Sequence, residues 1–128
     1  MNLFANAIRS LQKTRRSFRY AFRGIGLVFI HENNTRIHLL ATVSVLLAGW
    51  FFRLDHIEWA IILMQIGLVW AAEAFNSAIE KVVDLVSPGF NPKAGAIKDI
   101  AAGAVLLIAI VAAVVGLVVF GRKIMLWL

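Results

Sequence analysis

At 128 residues the chain is one domain's worth of sequence, yet 61% of it is hydrophobic and only 16% charged. A soluble domain runs nearer about 45–50% apolar and about 25% charged, so the composition excludes an ordinary water-soluble enzyme and points to an integral membrane protein. Thirteen basic residues against seven acidic ones give a net charge of +6, and the lack of cysteine excludes both a disulfide framework and a thiolate metal site.

The charge is unevenly placed. Arg9, Lys13, Arg15, Arg16, Arg19, Arg23 and Arg36 all precede the first long apolar run, opposed there only by Glu32. Residues 4 to about 30 predict an amphipathic helix, with Arg9, Lys13, Arg16, Tyr20 and Arg23 on one face and Leu11, Phe18, Phe22 and Ile25 on the other. Such a helix can lie in the membrane interface. Its basic face suits anionic headgroups or phosphates, and no nucleic-acid partner is expected beside so much apolar sequence. No cleavable leader is expected either, because the N-terminus lacks a basic-then-apolar core with a small-residue cleavage site.

Next, His31 to His38 is a polar island that, taken alone, reads as a solvated loop. The first span follows at about 37–52, short for the about 20 residues a transmembrane helix needs. Arg53 to His56 is a polar turn, and a helix at about 57–84 carries the second span. Ser87-Pro-Gly-Phe-Asn-Pro92 breaks the helix with both prolines of the chain. Lys93 to Asp99 leads into the third span at about 100–120. One membrane domain covering 1–128 is expected, all-α, with a surface helix and three transmembrane helices. The positive-inside rule places the basic arm in the cytoplasm, which makes this a multi-pass protein of the cytoplasmic membrane. The turn at 53–56 is then outside, and the loop between Asp84 and Asp99 inside.

Glu73-Ala-Phe-Asn-Ser-Ala-Ile-Glu-Lys-Val-Val-Asp84 carries most of the functional information. At about 100° per residue, Glu73, Asn76, Ser77, Glu80 and Asp84 share one narrow face, and Phe75, Ala78, Ile79, Val82 and Val83 fall largely opposite. Ionisable groups at membrane depth are costly and mark functional sites by default. Glu73 and Glu80 lie about 10 Å apart along the axis, which favours a division of labour over one shared ion. Glu80 could share a divalent cation with Glu32, since Mg²⁺ takes one or two carboxylates plus waters and substrate phosphates. Lys13, Lys98 and the arginine face could neutralise phosphate charge. Each group also has a plainer reading: Glu80 and Asp84 as solvated residues near a helix end, Lys98 and Asp99 as an interfacial flank, His31 and His38 as interfacial polar residues. Asn76 and Ser77 could be interhelical hydrogen-bonding groups. No Gly-rich phosphate loop, protein-kinase motif set or His-Glu-x-x-His zinc motif is present.

These residues, together with Lys98-Asp99-Ile-Ala-Ala-Gly-Ala-Val-Leu106, Ser17-Phe-x-Tyr20-Ala-x-x-Gly24 and Glu32-Asn-x-x-Arg36-Ile-His38, give a chain that resembles the prokaryotic diacylglycerol kinase family, small integral membrane lipid kinases. The resemblance implies a homotrimer with sites between subunits. It implies Glu73 as general base for a lipid hydroxyl, Asn76 as its support, and Glu32 and Glu80 as Mg²⁺ ligands. Lys98, Asp99, Tyr20 and Lys13 would contact ATP. Gly89, Phe90 and Asn91 occupy the nucleotide-contacting stretch with identities that depart from the diacylglycerol branch. Glu32-Asn-x-x-Arg-Ile-His38 looks more like the undecaprenol kinase branch, because the diacylglycerol branch usually carries a second acid where this chain has His38. The implied reaction is direct transfer of the ATP γ-phosphoryl group to a lipid alcohol, undecaprenol ahead of diacylglycerol. A reading of another class, an oligomeric transporter or channel subunit with an acid-lined path, fits less well. Between Glu58 and Glu73 only Gln65 is polar, so no polar line crosses the bilayer.

Overall fold

The computed structural model describes residues 3–31 and 33–126, with side chains described for 9–29 and 35–126. Four α-helices follow one another: α1 (Leu3–His31), α2 (Asn33–Phe51), α3 (His56–Val86) and α4 (Pro92–Met125). Their internal contacts divide the chain into two units, Met1–Glu32 and Asn33–Leu128.

The first unit is α1, a single long amphipathic helix. Two of its hydroxyl residues turn back on the helix: Thr14 Oγ1 donates to the Ser10 carbonyl at 3.0 Å, and Ser17 Oγ to the Lys13 carbonyl at 3.1 Å. These bonds satisfy hydroxyls that would otherwise compete for the backbone. The Arg19 guanidinium lies 5.9 Å from the Tyr20 ring centre, within cation–π range.

The second unit is α2 to α4, in which α3 and α4 pack as an antiparallel pair and α2 leans on α3. Ion pairs tie both ends of that pair, Glu58 to Lys123 and Asp84 to Lys98. This register sets Glu73 level with Ala109 and Ser77 level with Val105. The buried residues of α3 are Glu58, Ile62, Glu73, Asn76 and Ser77, whereas Phe75, Val82, Leu85 and Val86 are exposed. A helix folded for water buries its apolar stripe and exposes its polar one. Here the order is inverted, as it must be when the surrounding solvent is hydrocarbon. Both α3 and α4 are long and apolar enough to cross a membrane, and little of either is buried.

Two boundaries differ from expectation. The polar island is not a loop beyond Glu32: α2 begins at Asn33, so Thr35, Arg36 and His38 are helical. The 3.6-residue period runs through them and puts His38 in line with Thr42 and Val45, all three lining one groove. Second, α4 starts at Pro92 rather than near Ile100, which makes Lys93 to Asp99 its first two turns. Pro92 fits the first helical position, where its missing N–H costs nothing, and Asn91 Oδ1 accepts from the Lys93 and Ala94 amides. The apolar part of α2, Thr35–Phe51, is short as expected, shorter than the helices that pass as spans on length and hydropathy.

The turn from α2 to α3 is closely specified. Arg53 has φ 51°, its amide donates to the Trp50 carbonyl and the Leu54 amide to that of Gly49. This paired pattern is a Schellman ending, usually made by glycine. Gly49 is needed for a different reason: a Cβ there would come within 2.8 Å of the Trp59 ring. Asp55 then caps α3, its Oδ1 accepting from the Ile57 and Glu58 amides at 2.9 Å, while Glu58 Oε2 accepts from the Asp55 amide at 2.8 Å. Asp-x-x-Glu is a capping box.

Candidate active site

The polar stripe of α3 faces inward over its first two turns and emerges over the next two. Glu73 is 1% exposed, Asn76 and Ser77 are buried, Glu80 is half-buried and Asp84 is exposed. A membrane helix can carry these groups only by turning them toward protein, and the apolar residues opposite them hold that rotation.

Three side-chain contacts organise the stripe. His38 Nε2 on α2 lies 3.7 Å from Glu73 Oε2. One turn on, Asn76 Nδ2 donates to Glu80 Oε1 at 3.1 Å, which orients the Glu80 carboxylate. Where the stripe meets the loop, Lys98 Nζ pairs with Asp84. Behind Glu73, the Trp70 ring meets His38 edge-on with centroids 6.4 Å apart, and Trp70 Nε1 donates to Thr42 Oγ1 at 3.0 Å. His38 and Thr42 open into a groove of about 600 Å³ between α2, α3 and α4, lined otherwise almost wholly by apolar side chains, with Gln65 halfway along.

Asn76 Oδ1 and Ser77 Oγ are buried and accept no hydrogen bond from the described residues. An amide oxygen left so, next to a carboxylate it already holds, is suited to a hydrated divalent cation or a hydroxyl. No cluster of three His, Asp, Glu or Cys occurs among the described residues. Mg²⁺ does not need one, since it keeps several waters and binds through one or two carboxylates with substrate phosphates. Glu80 with Asn76 fits that donor set.

The other expected residues separate into groups. Lys98, in the second turn of α4, is paired with Asp84, and Asp99 is exposed beside it. In the α3–α4 loop Phe90 is 99% exposed and Gly89 is open. The Asn91 amide oxygen caps α4 and its Nδ2 donates to Ser87 Oγ at 3.3 Å. Lys13 and Tyr20 belong to the separate α1 unit and are exposed there. Glu32 lies outside the described residues. Sequence reasoning missed His38, Thr42 and Trp70 as site neighbours. The i, i+4 spacing of His38 and Thr42 was the available signal, masked by the polar residues before His38.

A model of the family described as prokaryotic diacylglycerol kinase matches residues 19–120. The chain belongs to that family. The activity class follows: a lipid kinase, a phosphotransferase with an alcohol acceptor. Undecaprenol kinase of Bacillus subtilis (strain 168) is 40% identical over 113 residues, covering 88% of this chain and 92% of that protein. Diacylglycerol kinase of Synechocystis sp. is 43% identical over 101 residues, 78% of this chain and 58% of that one. Diacylglycerol kinase of Escherichia coli (strain K12) is 30% identical over 95 residues, 74% and 78% respectively.

Proposed function

We propose that the chain phosphorylates a lipid alcohol at the cytoplasmic face of the cytoplasmic membrane, with ATP as donor and Mg²⁺ as cofactor, undecaprenol being the acceptor. The observation that carries this is Glu73, a carboxylate all but sealed from solvent on a helix whose outward side is apolar. Phosphoryl transfer through a loose transition state needs positioning and charge neutralisation more than a strong base. Glu73 takes the hydroxyl proton, and Asn76 holds Glu80 in place. Glu80, with Glu32, holds Mg²⁺, which when bound neutralises charge on the β- and γ-phosphates. Lys98, Asp99, Tyr20, Lys13 and the Gly89–Asn91 loop hold the nucleotide. Lys98 then exchanges Asp84 for phosphate when ATP arrives. α2 is read as the third span beside α3 and α4, α1 as a surface helix, and the whole as one catalytic domain that works as a homotrimer with sites between subunits.

Undecaprenol is favoured by the Bacillus subtilis undecaprenol kinase, matched along nearly its whole length. Diacylglycerol is the second reading, favoured by the 43% identity to the Synechocystis diacylglycerol kinase. The deciding experiment gives purified protein γ-labelled ATP with either alcohol in the same detergent. Label should pass faster to undecaprenol. The reverse order establishes the second reading, and transfer to neither alcohol ends both.

A further inference from the structure

A base sealed inside protein must be emptied after each turnover. Once Glu73 has taken the acceptor's proton it is a neutral acid with a side chain 1% exposed, and water cannot collect that proton directly. One described group facing it is His38, whose Nε2 stands 3.7 Å from Glu73 Oε2 and whose side chain is 18% exposed. An imidazole changes charge near neutral pH, so it can take a proton from a carboxylic acid and release one to water. Its place is set by α2 and α3 together: the Trp70 ring abuts it edge-on and is itself tied to Thr42, one turn further along α2. The 3.7 Å gap exceeds hydrogen-bond length, and such contacts tighten when substrate binds.

We infer that His38 is a positioning residue for the phosphotransfer, acting through Glu73 as the exit for the acceptor's proton. This rests on Glu73 being the base. The acceptor O–H bond breaks and its proton goes to a Glu73 carboxylate oxygen. The acceptor oxygen bonds to the γ-phosphorus, and the bond from that phosphorus to the β–γ bridging oxygen breaks, releasing ADP. The proton then moves from the Glu73 carboxyl to Nε2 of neutral His38, leaving a carboxylate beside an imidazolium. The imidazolium gives a proton to water at its exposed edge, and the neutral ring re-equilibrates between tautomers.

Few other charges bear on this pair among the described residues of α2 to α4. Arg36 is exposed, Glu80 is held by Asn76, and Lys98 is paired with Asp84 while Asp99 faces out. On α4 the residues sharing the groove with His38 at this level, Ala109, Ala112 and Ala113, carry no charge.

The test measures pH–rate profiles of the full-length purified enzyme, wild type against His38→Gln, with Glu73→Gln alongside. Wild-type turnover should show an acid limb, because a protonated His38 cannot accept. His38→Gln should turn over on the order of tenfold more slowly at neutral pH, less than the ~10²–10⁴ of direct acid–base catalysis, and should lose that acid limb. Imidazole added to His38→Ala should restore rate in proportion to its concentration, which a folding defect would not allow, and should do nothing for Glu73→Gln. An unchanged acid limb in His38→Gln, or a His38→Ala enzyme that imidazole leaves slow, overturns the inference. Wild-type turnover in Glu73→Gln removes the base assignment itself. An inactive Glu73→Gln with an unchanged His38→Gln profile removes only the role of His38.

Discussion

The two halves of α3 use the same residue types to opposite ends. At its start, Glu58 is held by one oxygen: Oε2 accepts from the Asp55 amide and pairs with Lys123 Nζ at 2.7 Å, and Asp55 Oδ1 accepts from two amides. Towards its end, Asn76 Oδ1 and Ser77 Oγ are buried with nothing donated to them among the described residues, and in the first half of the helix only Gln65 Oε1 shares that state. A buried polar atom left unsatisfied costs about 1–3 kcal/mol. A chain that pairs its buried polar groups at one end of a helix can do so at the other. The open acceptors therefore mark where a ligand supplies what the fold withholds, and the closed end is scaffold.

Glu73→Gln strikes that contrast hardest. Gln keeps the size and polarity of the side chain and removes its capacity to take a proton. Turnover should drop by about 10²-fold or more, with helicity by circular dichroism and oligomeric size in detergent unchanged. A variant that still turns over at the wild-type rate would place Glu73 with Glu58, as structure.

Glu80→Ala is the intermediate case. It removes one carboxylate and leaves Asn76 Nδ2 without its acceptor. The Mg²⁺ concentration needed for half-maximal rate should rise by about tenfold or more, since loss of even a group that only supports a ligand costs a metal site about 10–100-fold. A superimposable Mg²⁺ titration would take Glu80 out of the metal site.

How much of this is legible in the sequence follows from which forces are local. The Glu73–Asp84 stripe is legible because helical period alone sorts its residues onto faces, and the apolar residues opposite say which side meets lipid. Helix existence is equally legible, since few runs other than helices satisfy their own backbone in hydrocarbon. The starts of α2 and α4 are not. Asn33 to His38 and Lys93 to Asp99 are polar enough to read as flanks, and only their alignment with apolar residues further along makes them helical. Pairings across helices are harder still: neither His38 to Glu73 nor Glu58 to Lys123 is implied by any spacing, because the α2–α3 and α3–α4 registers come from packing. Asp55-x-x-Glu58, by contrast, was readable as a capping box and was passed over as a polar turn.

Asp55→Asn probes the closed end and should have the smallest effect. The Glu58 amide, then that of Ile57 and the charges of Lys123 and Arg122, hold the Asp55 carboxyl below its ordinary 3.8, against a partial desolvation that raises it. A carboxyl lowered on folding stabilises the folded state above its unfolded value, and that contribution is lost as pH falls through the folded one. Asn is itself a good N-cap, so the variant keeps the amide hydrogen bonds and loses only the charge. Melting in detergent should put the variant slightly below wild type from neutral pH down to about pH 4. The two curves should then converge as the wild-type carboxyl protonates. Turnover per folded enzyme should be unchanged throughout, because nothing at this end of α3 touches the open acceptors. A loss of turnover without a loss of melting temperature would mean that the two halves of α3 are not separate in function, and the contrast between scaffold and site would fail at its scaffold end.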